Sequence, residues 1–340
     1  MIRICLLLLI LASPSLCAET YGQRDDVRGF VEEMHSRHGF DRDDLIGLFR
    51  QTRPIAAVIK YIMPPRDSGV RSWQRYRARF VEPKRIAAGR RFMRIHAAQL
   101  AAAETRFGVP ADIVAAIIGI ETLYGRQPGS FRSFAALTTL AFDYPPRAEL
   151  FRRELEELLL LAREEQRSPL AYTGSYAGAL GLPQFLPSSR RRFGVDFDDD
   201  GRIDLSASPV DAIGSVANFL AAHGWERNAP IAFAVEVSGT GVATLLAEGI
   251  VPQRLPRQMA DTDVHLATPG QDAGRRVGAG DTTTLALPEL PAALIDLVTP
   301  GMATEYRLGY RNFYVITRYN RSSFYAAAVS DLAAALRISQ

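Results

Sequence analysis

Glu121 lies near the end of an apolar segment with the residue spacing of a helix. Ile113, Ile117 and Glu121 follow one another at intervals of four, so on a helix they share one face. A carboxyl group among apolar side chains has a raised pKa, and the partial negative charge at a helix C-terminus raises it further. Such a group suits general acid catalysis near neutral pH. A Glu paired with Arg126, or one facing water, is the alternative that this segment leaves open.

A second group of carboxylates has the spacing of a calcium-binding loop. The pattern D-x-[DN]-x-[DN]-G fits Asp196 to Gly201, where alternate carboxylates can converge on a hard cation and glycine permits a sharp turn. Position twelve of such a loop normally carries Glu, but Ala207 stands there. A solvated acidic turn is therefore the alternative to a calcium site.

Composition excludes several other classes of function. The 340 residues include 40 Lys and Arg against 37 Asp and Glu, and no clustered basic face indicates a nucleic-acid partner. No group of His and Cys has the spacing of zinc ligands, and no P-loop or dinucleotide fingerprint is present. We therefore expect no nucleic-acid partner and no organic cofactor.

The N-terminal segment 1–18 has the pattern of a secretory signal peptide. One Arg precedes an apolar run from Cys5 to Ala12, and small residues follow. This run is too short to span a bilayer, so we predict an exported chain in the periplasm. Lipid attachment at Cys17, which would anchor the chain to the outer membrane, is the alternative. Leu16 speaks against it, because that signal favours a small residue before the Cys.

The elements that must position these groups are mostly helical. Helical spacing predicts amphipathic helices from Val27 to about Ala103, interrupted by a loop at Pro64 to Gly69. Further along, the patterns predict helices at Val109–Tyr124, Pro146–Arg167 and Ser323–Leu336, an irregular loop between Pro169 and Ser189, and strands at Ala232–Val237 and Thr282–Leu287.

Several motifs together resemble the membrane-bound lytic transglycosylase B family of peptidoglycan-cleaving enzymes. The segments that match in order and spacing are Glu121–Arg126, Ser175–Ser189, Asp196–Gly201 and Pro209–Ser215, with Phe40-Asp41 and Asn312–Asn320 extending the resemblance over most of the chain. The resemblance implies a mainly α (α+β) fold in which a lysozyme-like α core is flanked by a helical region and a small β subdomain. The implied division is a signal peptide at 1–18, a helical region at 19–103, a catalytic core with the calcium-type loop at 104–228, a β-containing region at 229–310 and a C-terminal segment at 311–340 that returns to the core.

The resemblance also implies the chemistry of Glu121. It would protonate the glycosidic oxygen between N-acetylmuramic acid (MurNAc) and N-acetylglucosamine (GlcNAc), and then act as base while the muramic C6 hydroxyl closes a 1,6-anhydro ring. One carboxylate can suffice because the nucleophile is tethered to the substrate. The residues that match the family's glycan groove are Tyr76, Ser175, Gln184 and Tyr319.

The family's metal site corresponds to the acidic loop and one later Asp. The matching residues are Asp196, Asp198, Asp200, Arg202 and Asp211, which would hold a structural Ca²⁺. This chain carries one extra residue before Asp211. The run Ser208-Pro209-Val210-Asp211 also has the pattern of a helix start, and both roles are compatible.

Two other functions stay open at this point. A hydrolytic muramidase would need a second carboxylate across the cleft, for which Asp143 and Glu149 are candidates. A non-catalytic, calcium-stabilised glycan-binding protein would need no acid at all, although the presence of Glu121 in the matching motif argues against it. We expect a monomer whose partners are peptidoglycan glycan strands and other cell-wall enzymes.

Overall fold

The structure is a computed structural model that describes residues 20–64, 71–268 and 287–337. The predicted signal peptide at 1–18, with Cys17, lies outside these residues. So do the predicted loop after Pro64 and the predicted strand at 282–287, except Leu287, which is not in a strand. None of the helices described has the length and apolar character that crossing a membrane requires.

The N-terminal part of the chain is helical, as its amphipathic spacing predicts. The helices are α1 (Asp25–His38), α2 (Arg42–Arg50), α3 (Ala56–Ile62), α4 (Trp73–Phe80), α5 (Pro83–Ile95) and α6 (Ala97–Phe107). Three of them begin at a side-chain cap: Asp41, Ser72 and Glu82 each accept a hydrogen bond from backbone N–H groups of the first turn. These caps satisfy donors that have no partner within the helix.

The middle of the chain contains five helices and a short ribbon. Its elements are α7 (Ala111–Thr122), β1 (Phe131–Arg132), α8 (Ser133–Asp143), α9 (Ala148–Glu164), β2 (Thr173–Gly174), α10 (Pro187–Phe193) and α11 (Pro209–Ala222). The helix predicted at Pro146–Arg167 is confirmed but shorter, because a 3-10 turn at Pro145–Arg147 precedes it and Gln166 has a left-handed φ of 49°.

A small antiparallel sheet and two helices complete the fold. These elements are β3 (Ala232–Ser238), α12 (Val242–Ala247), α13 (Pro256–Met259), β4 (His265–Ala267), β5 (Ala293–Leu297), β6 (Glu305–Gly309), α14 (Arg311–Tyr319) and α15 (Ser323–Arg337). The strand order is β4-β3-β6-β5, and Leu308 pairs with Phe233 on one side and Leu294 on the other. The prediction of a mainly α chain with a small β region is confirmed, and so are the predicted strand at Ala232–Val237 and the terminal helix.

Helix α7 lies in the middle of the largest core. Every residue from Asp112 to Ile120 is buried, because α7 packs against α5, α6, α11 and α15. The apolar stripe predicted from Ile113 and Ile117 is therefore real, but the opposite face of the helix is buried as well. A second core joins α1, α2 and α3 to α8 and α9, and a third lies beneath the sheet.

Truncating α7 in its core should destabilise the whole protein. We expect Ile117→Ala to lower the free energy of unfolding by about 2–5 kcal/mol, because it removes buried methyl groups and leaves a cavity. Ile95→Ala makes the same change at a residue that is 61% exposed, and it should alter stability by less than about 0.5 kcal/mol. Chemical denaturation of both variants measures the difference, and equal effects would contradict the central position of α7.

Candidate active site

Helix α7 ends in an unusual backbone turn directly after Glu121. Leu123 and Tyr124 have left-handed φ values of 51° and 59°, and Gly125 follows with 83°. Each left-handed residue other than glycine costs about 1–3 kcal/mol, so the turn must be held by its surroundings. Thr122 provides part of this support, because its hydroxyl donates to the carbonyl of Leu182 at 2.9 Å and accepts from the amide of Gly125 at 3.0 Å.

Glu121 is partly buried and receives one hydrogen bond from the far end of the chain. The hydroxyl of Tyr325, on α15, donates to its Oε1 at 2.7 Å. Burial raises the pKa of Glu121 to about 7, and the hydrogen bond from Tyr325 opposes this increase. Near neutral pH the carboxyl therefore populates both its protonated and its ionised form, as a group that both gives and takes a proton must.

Three tyrosines surround Glu121. Burial raises the pKa of Tyr76, Tyr319 and Tyr325, and the negative charge of Glu121 raises all three further. The rings of Tyr319 and Tyr325 are stacked, with centroids 6.3 Å apart. Tyr76 packs on Phe324 at 5.7 Å. Two of the predicted groove residues, Tyr76 and Tyr319, thus lie near the predicted acid.

Ser175 and Gln184 lie on the irregular loop that precedes α10. The Oγ of Ser175 accepts from the amide of Ala179 at 3.0 Å, which closes a tight turn. Gln184 has a left-handed φ of 51°, and its Nε2 donates to the carbonyl of Pro128 at 3.0 Å. Tyr319 joins the loop to the acid's surroundings, because its hydroxyl donates to the carbonyl of Pro183.

The acidic loop brings three of the predicted metal ligands together. Carboxylate oxygens of Asp196, Asp198 and Asp211 all lie within 4.8 Å of one another. Asp200 lies outside this group, and its Oδ1 accepts from the amide of Arg202 at 2.8 Å. Three hard oxygen donors at this spacing fit a cation such as Ca²⁺ better than a soft metal.

Asp211 also takes its predicted place at the start of α11. Ser208 caps the helix by accepting from the Asp211 amide at 3.1 Å. The two oxygens of Asp211 accept from the amides of Phe197 and Asp204, at 2.8 and 2.7 Å. The helix-start pattern of this segment is therefore confirmed, and Asp211 organises the loop as well.

The residues that the alternatives require beside Glu121 are engaged elsewhere or exposed. They are Arg126 as an ion-pair partner, and Asp143 or Glu149 as a second carboxylate. No ion pair within the described residues joins Glu121 to Arg126, which is exposed. Asp143 binds Arg24 and the hydroxyl of Tyr21. Glu149 is exposed in the first turn of α9. Of the described carboxylates, none contributes to the pKa of Glu121.

Sequence reasoning missed Tyr325. Tyr325 follows the predicted groove residue Tyr319 closely in the sequence but lies on the next helix, α15. Nothing in the pattern of Ser323 to Leu336 distinguishes it from a packing residue. Only the packing of α15 on α7 brings its hydroxyl to Glu121.

The hydrogen bond from Tyr325 should be measurable as a shift in the pKa of Glu121. We expect a midpoint near pH 7 in an NMR titration of the Glu121 side-chain carbonyl carbon. Tyr325→Phe should raise this pKa, because it removes a donor that stabilises the carboxylate. Tyr319→Phe is the matched control, since that hydroxyl bonds Pro183 instead. A pKa that falls or stays constant in Tyr325→Phe would contradict this assignment.

Comparisons with known proteins agree with this geometry. The profile of the family described as "Transglycosylase SLT domain" matches residues 22–334. The membrane-bound lytic murein transglycosylase B of Escherichia coli (strain K12) is 37% identical over 328 residues, which cover 94% of this chain and 85% of that protein.

Solved structures show the same fold. The crystal structure of the soluble lytic transglycosylase SltB1 from Pseudomonas aeruginosa superposes with a TM-score of 0.80 at 41% identity, covering 92% of this chain and 98% of that one. The Escherichia coli lytic transglycosylase Slt35 in complex with calcium gives a TM-score of 0.74 at 36% identity, with 92% and 93% covered. The predicted lysozyme-like fold and the family resemblance are both confirmed: the chain belongs to the transglycosylase SLT domain family, as a lytic transglycosylase.

Proposed function

We propose that the protein cleaves the β-1,4 bond between MurNAc and GlcNAc in peptidoglycan and leaves 1,6-anhydromuramic acid ends. The observation that carries this proposal is a carboxyl with a pKa of about 7 that is surrounded by tyrosines, and whose pKa no described carboxylate shifts. Family membership supports the choice of substrate, since the Escherichia coli relative is named for murein.

In the proposed reaction Glu121 acts twice. Its protonated form donates a proton to the glycosidic oxygen, so that the bond to the muramic C1 breaks and GlcNAc leaves with its hydroxyl restored. The resulting carboxylate then accepts the proton of the muramic C6 hydroxyl as that oxygen bonds to C1. Glu121 ends protonated, as it began, and no water is consumed.

The tethered nucleophile explains why the site can work with one carboxylate. Retaining glycosidases place two carboxyl groups about 5–5.5 Å apart, and inverting enzymes about 6.5–9.5 Å apart. A second carboxylate so close would itself raise the pKa of Glu121, yet burial is the main cause and no described carboxylate contributes. The hydrogen bonds of Asp143 and the exposure of Glu149 also disfavour the muramidase alternative.

The groove residues have roles that follow from their surroundings. Tyr76 offers an aromatic surface beside the acid, which suits the apolar face of a sugar ring. Ser175 and Gln184 offer hydroxyl and amide groups from a loop whose backbone is held by its own hydrogen bonds, and these groups suit N-acetyl and hydroxyl substituents. Tyr319 shapes the wall between this loop and Glu121.

We assign a structural Ca²⁺ to the acidic loop. Asp196, Asp198 and Asp211 supply converging carboxylates, and movement of the Asp200 side chain and the Arg202 segment would complete a shell of oxygen ligands. The calcium complex of the Slt35 relative supports the choice of ion. The ion would stabilise the loop before α11 and take no part in the proton transfers of Glu121.

We infer that the protein works in the periplasm, where its partners are the glycan strands of peptidoglycan. The export signal predicted at 1–18 and the cell-envelope character of the Escherichia coli relative, which is named membrane-bound, support this location. Lipid attachment at Cys17 stays the alternative. The monomeric state and contacts with other cell-wall enzymes stay predictions.

Replacing the acid should remove cleavage without unfolding the protein. We expect Glu121→Gln to reduce turnover by about 10²–10⁴-fold. Gln has the shape of Glu and can accept the Tyr325 hydrogen bond, but it cannot act as a general acid. Mass spectrometry of the muropeptides released from intact peptidoglycan measures both turnover and product. The wild type should release products one water lighter than hydrolytic ones.

Glu149→Gln is the matched control for the loss of a carboxylate. This variant should retain activity and the anhydro products, and Asp143→Asn should retain them if it stays folded. Reducing ends from the wild type would establish a muramidase instead. Glycan binding without release under any condition would establish the non-catalytic alternative.

Calcium removal should destabilise the fold. A ligand that binds only the native state stabilises it by about 2.7 kcal/mol when its concentration is 100 times the Kd, so a chelator should lower Tm. Asp198→Asn should abolish this chelator effect, since Asp198 belongs to the carboxylate group. Asp199→Asn, a change in the same loop outside that group, should preserve it. Identical thermal unfolding with calcium and with chelator would refute the site.

A further inference from the structure

Three aromatic side chains from separate segments meet at the surface beside the loop of Ser175. Tyr61 lies on α3, Phe131 on β1 and Tyr176 in the turn after β2. The Tyr61 ring is 6.2 Å from that of Phe131 and 5.8 Å from that of Tyr176, both in edge-to-face arrangements. We call this group the aromatic platform.

The two tyrosines of the platform are exposed although they are large, and Phe131 is half-buried beside them. Tyr61 retains 54% of its accessible surface and Tyr176 retains 37%. Clustered exposed aromatic groups indicate a binding surface more often than scattered ones do. Arginine stacks on many aromatic rings of this protein, but among the described residues none lies over the rings of the platform. The faces of these rings are therefore not covered by arginine.

The turn that carries Tyr176 is held rigidly. The amide of Ser175 donates to Ala179 at 2.9 Å, and the amide of Gly178 donates back to Ser175 at 3.0 Å. Backbones approach so closely here that a Cβ on Gly174 would lie 2.0 Å from the Ala179 carbonyl oxygen. A fixed aromatic group loses little conformational entropy on binding, which favours affinity.

A continuous wall connects the platform with Glu121. Thr122, next to the acid, bonds Leu182, and Gln184 in the same loop bonds Pro128 at 3.0 Å. The segment after Pro128 leads into β1, where Phe131 pairs with Gly174. Ser175 and Tyr176 follow Gly174 directly, so the platform adjoins the loop that carries the proposed groove residues Ser175 and Gln184.

We propose that the aromatic platform of Tyr61, Phe131 and Tyr176 is an outer sugar-binding subsite for the glycan strand, away from the bond that is cut. Ring faces suit the C–H face of a pyranose, and the two phenol hydroxyls suit its hydroxyl and N-acetyl groups. This inference rests on the proposed function, because it extends the same groove.

The subsite should give long glycan strands an advantage over short fragments. We expect Tyr61→Ala with Tyr176→Ala to raise the KM for long strands by about two- to tenfold, with little change in kcat, because the platform does not touch the reacting atoms. The KM for a fragment too short to reach the platform should not change. Tyr61→Phe with Tyr176→Phe keeps the rings and should retain most of the advantage.

Met302→Ala is the matched control, since Met302 is 58% exposed on the turn between β5 and β6. This substitution should leave every value unchanged.

Binding of long strands without peptide stems to Glu121→Gln, with and without the platform substitutions, tests the subsite independently of turnover. Equal affinities would overturn the subsite even if the wild type cleaves. A loss confined to strands that carry stems would assign the platform to peptide, and a change only in the oligomeric state would assign it to a second protein; either result overturns the proposal. Absence of wild-type cleavage on the short fragment would contradict the proposed function instead.

Discussion

The structure depends on one constraint: an ionisable carboxyl must be kept largely out of water at the end of a mostly apolar helix. Burial disfavours the charge of Glu121, and a single hydroxyl from Tyr325 offsets part of that penalty. A stronger partner such as Arg would lower the pKa of this group, and loss of the Tyr325 hydroxyl would raise it further. The pKa of about 7 follows from this balance, so the proton can move in both directions.

Contacts elsewhere in the core fix the position of α7 relative to the helices around it, including α15. At the start of α7 the buried carboxylate of Asp112 pairs with Arg337, the last helical residue of α15. At the other end Arg85 donates to the carbonyl of Gly119 at 3.0 Å. Gly119 has no side chain because the Tyr124 hydroxyl lies where one would be, 2.4 Å from an ideal Cβ. Residues from both halves of the chain thus hold α7 in the position from which Glu121 accepts its hydrogen bond from Tyr325.

The sequence allowed the local parts of this arrangement to be predicted. Helical spacing located Glu121, and short-range ligand spacing located Asp196 and Asp198, because both signals operate within a few residues. Tyr325 could not be found in this way, since its contact joins residues 204 positions apart. The strands β4, β5 and β6 were also missed, because each is short. β4 and β6 pair with β3, which lies much earlier in the chain, whereas β5 pairs with its neighbour β6.

The acidic loop illustrates how the fold can build the proposed metal site at a place that takes no part in the proposed chemistry. Asp211 already orients the loop by accepting from two of its amides, and Phe197 packs so closely on Gly214 that a Cβ there would lie 2.5 Å from the ring. The loop is therefore largely formed by α11 before any ion binds. A cation would mainly neutralise the repulsion among the converging carboxylates, which adds stability to α11. Because α11 packs on α7, that stability would support the helix of Glu121 through packing alone, and the proposed proton transfers would involve only Glu121 and the residues around it.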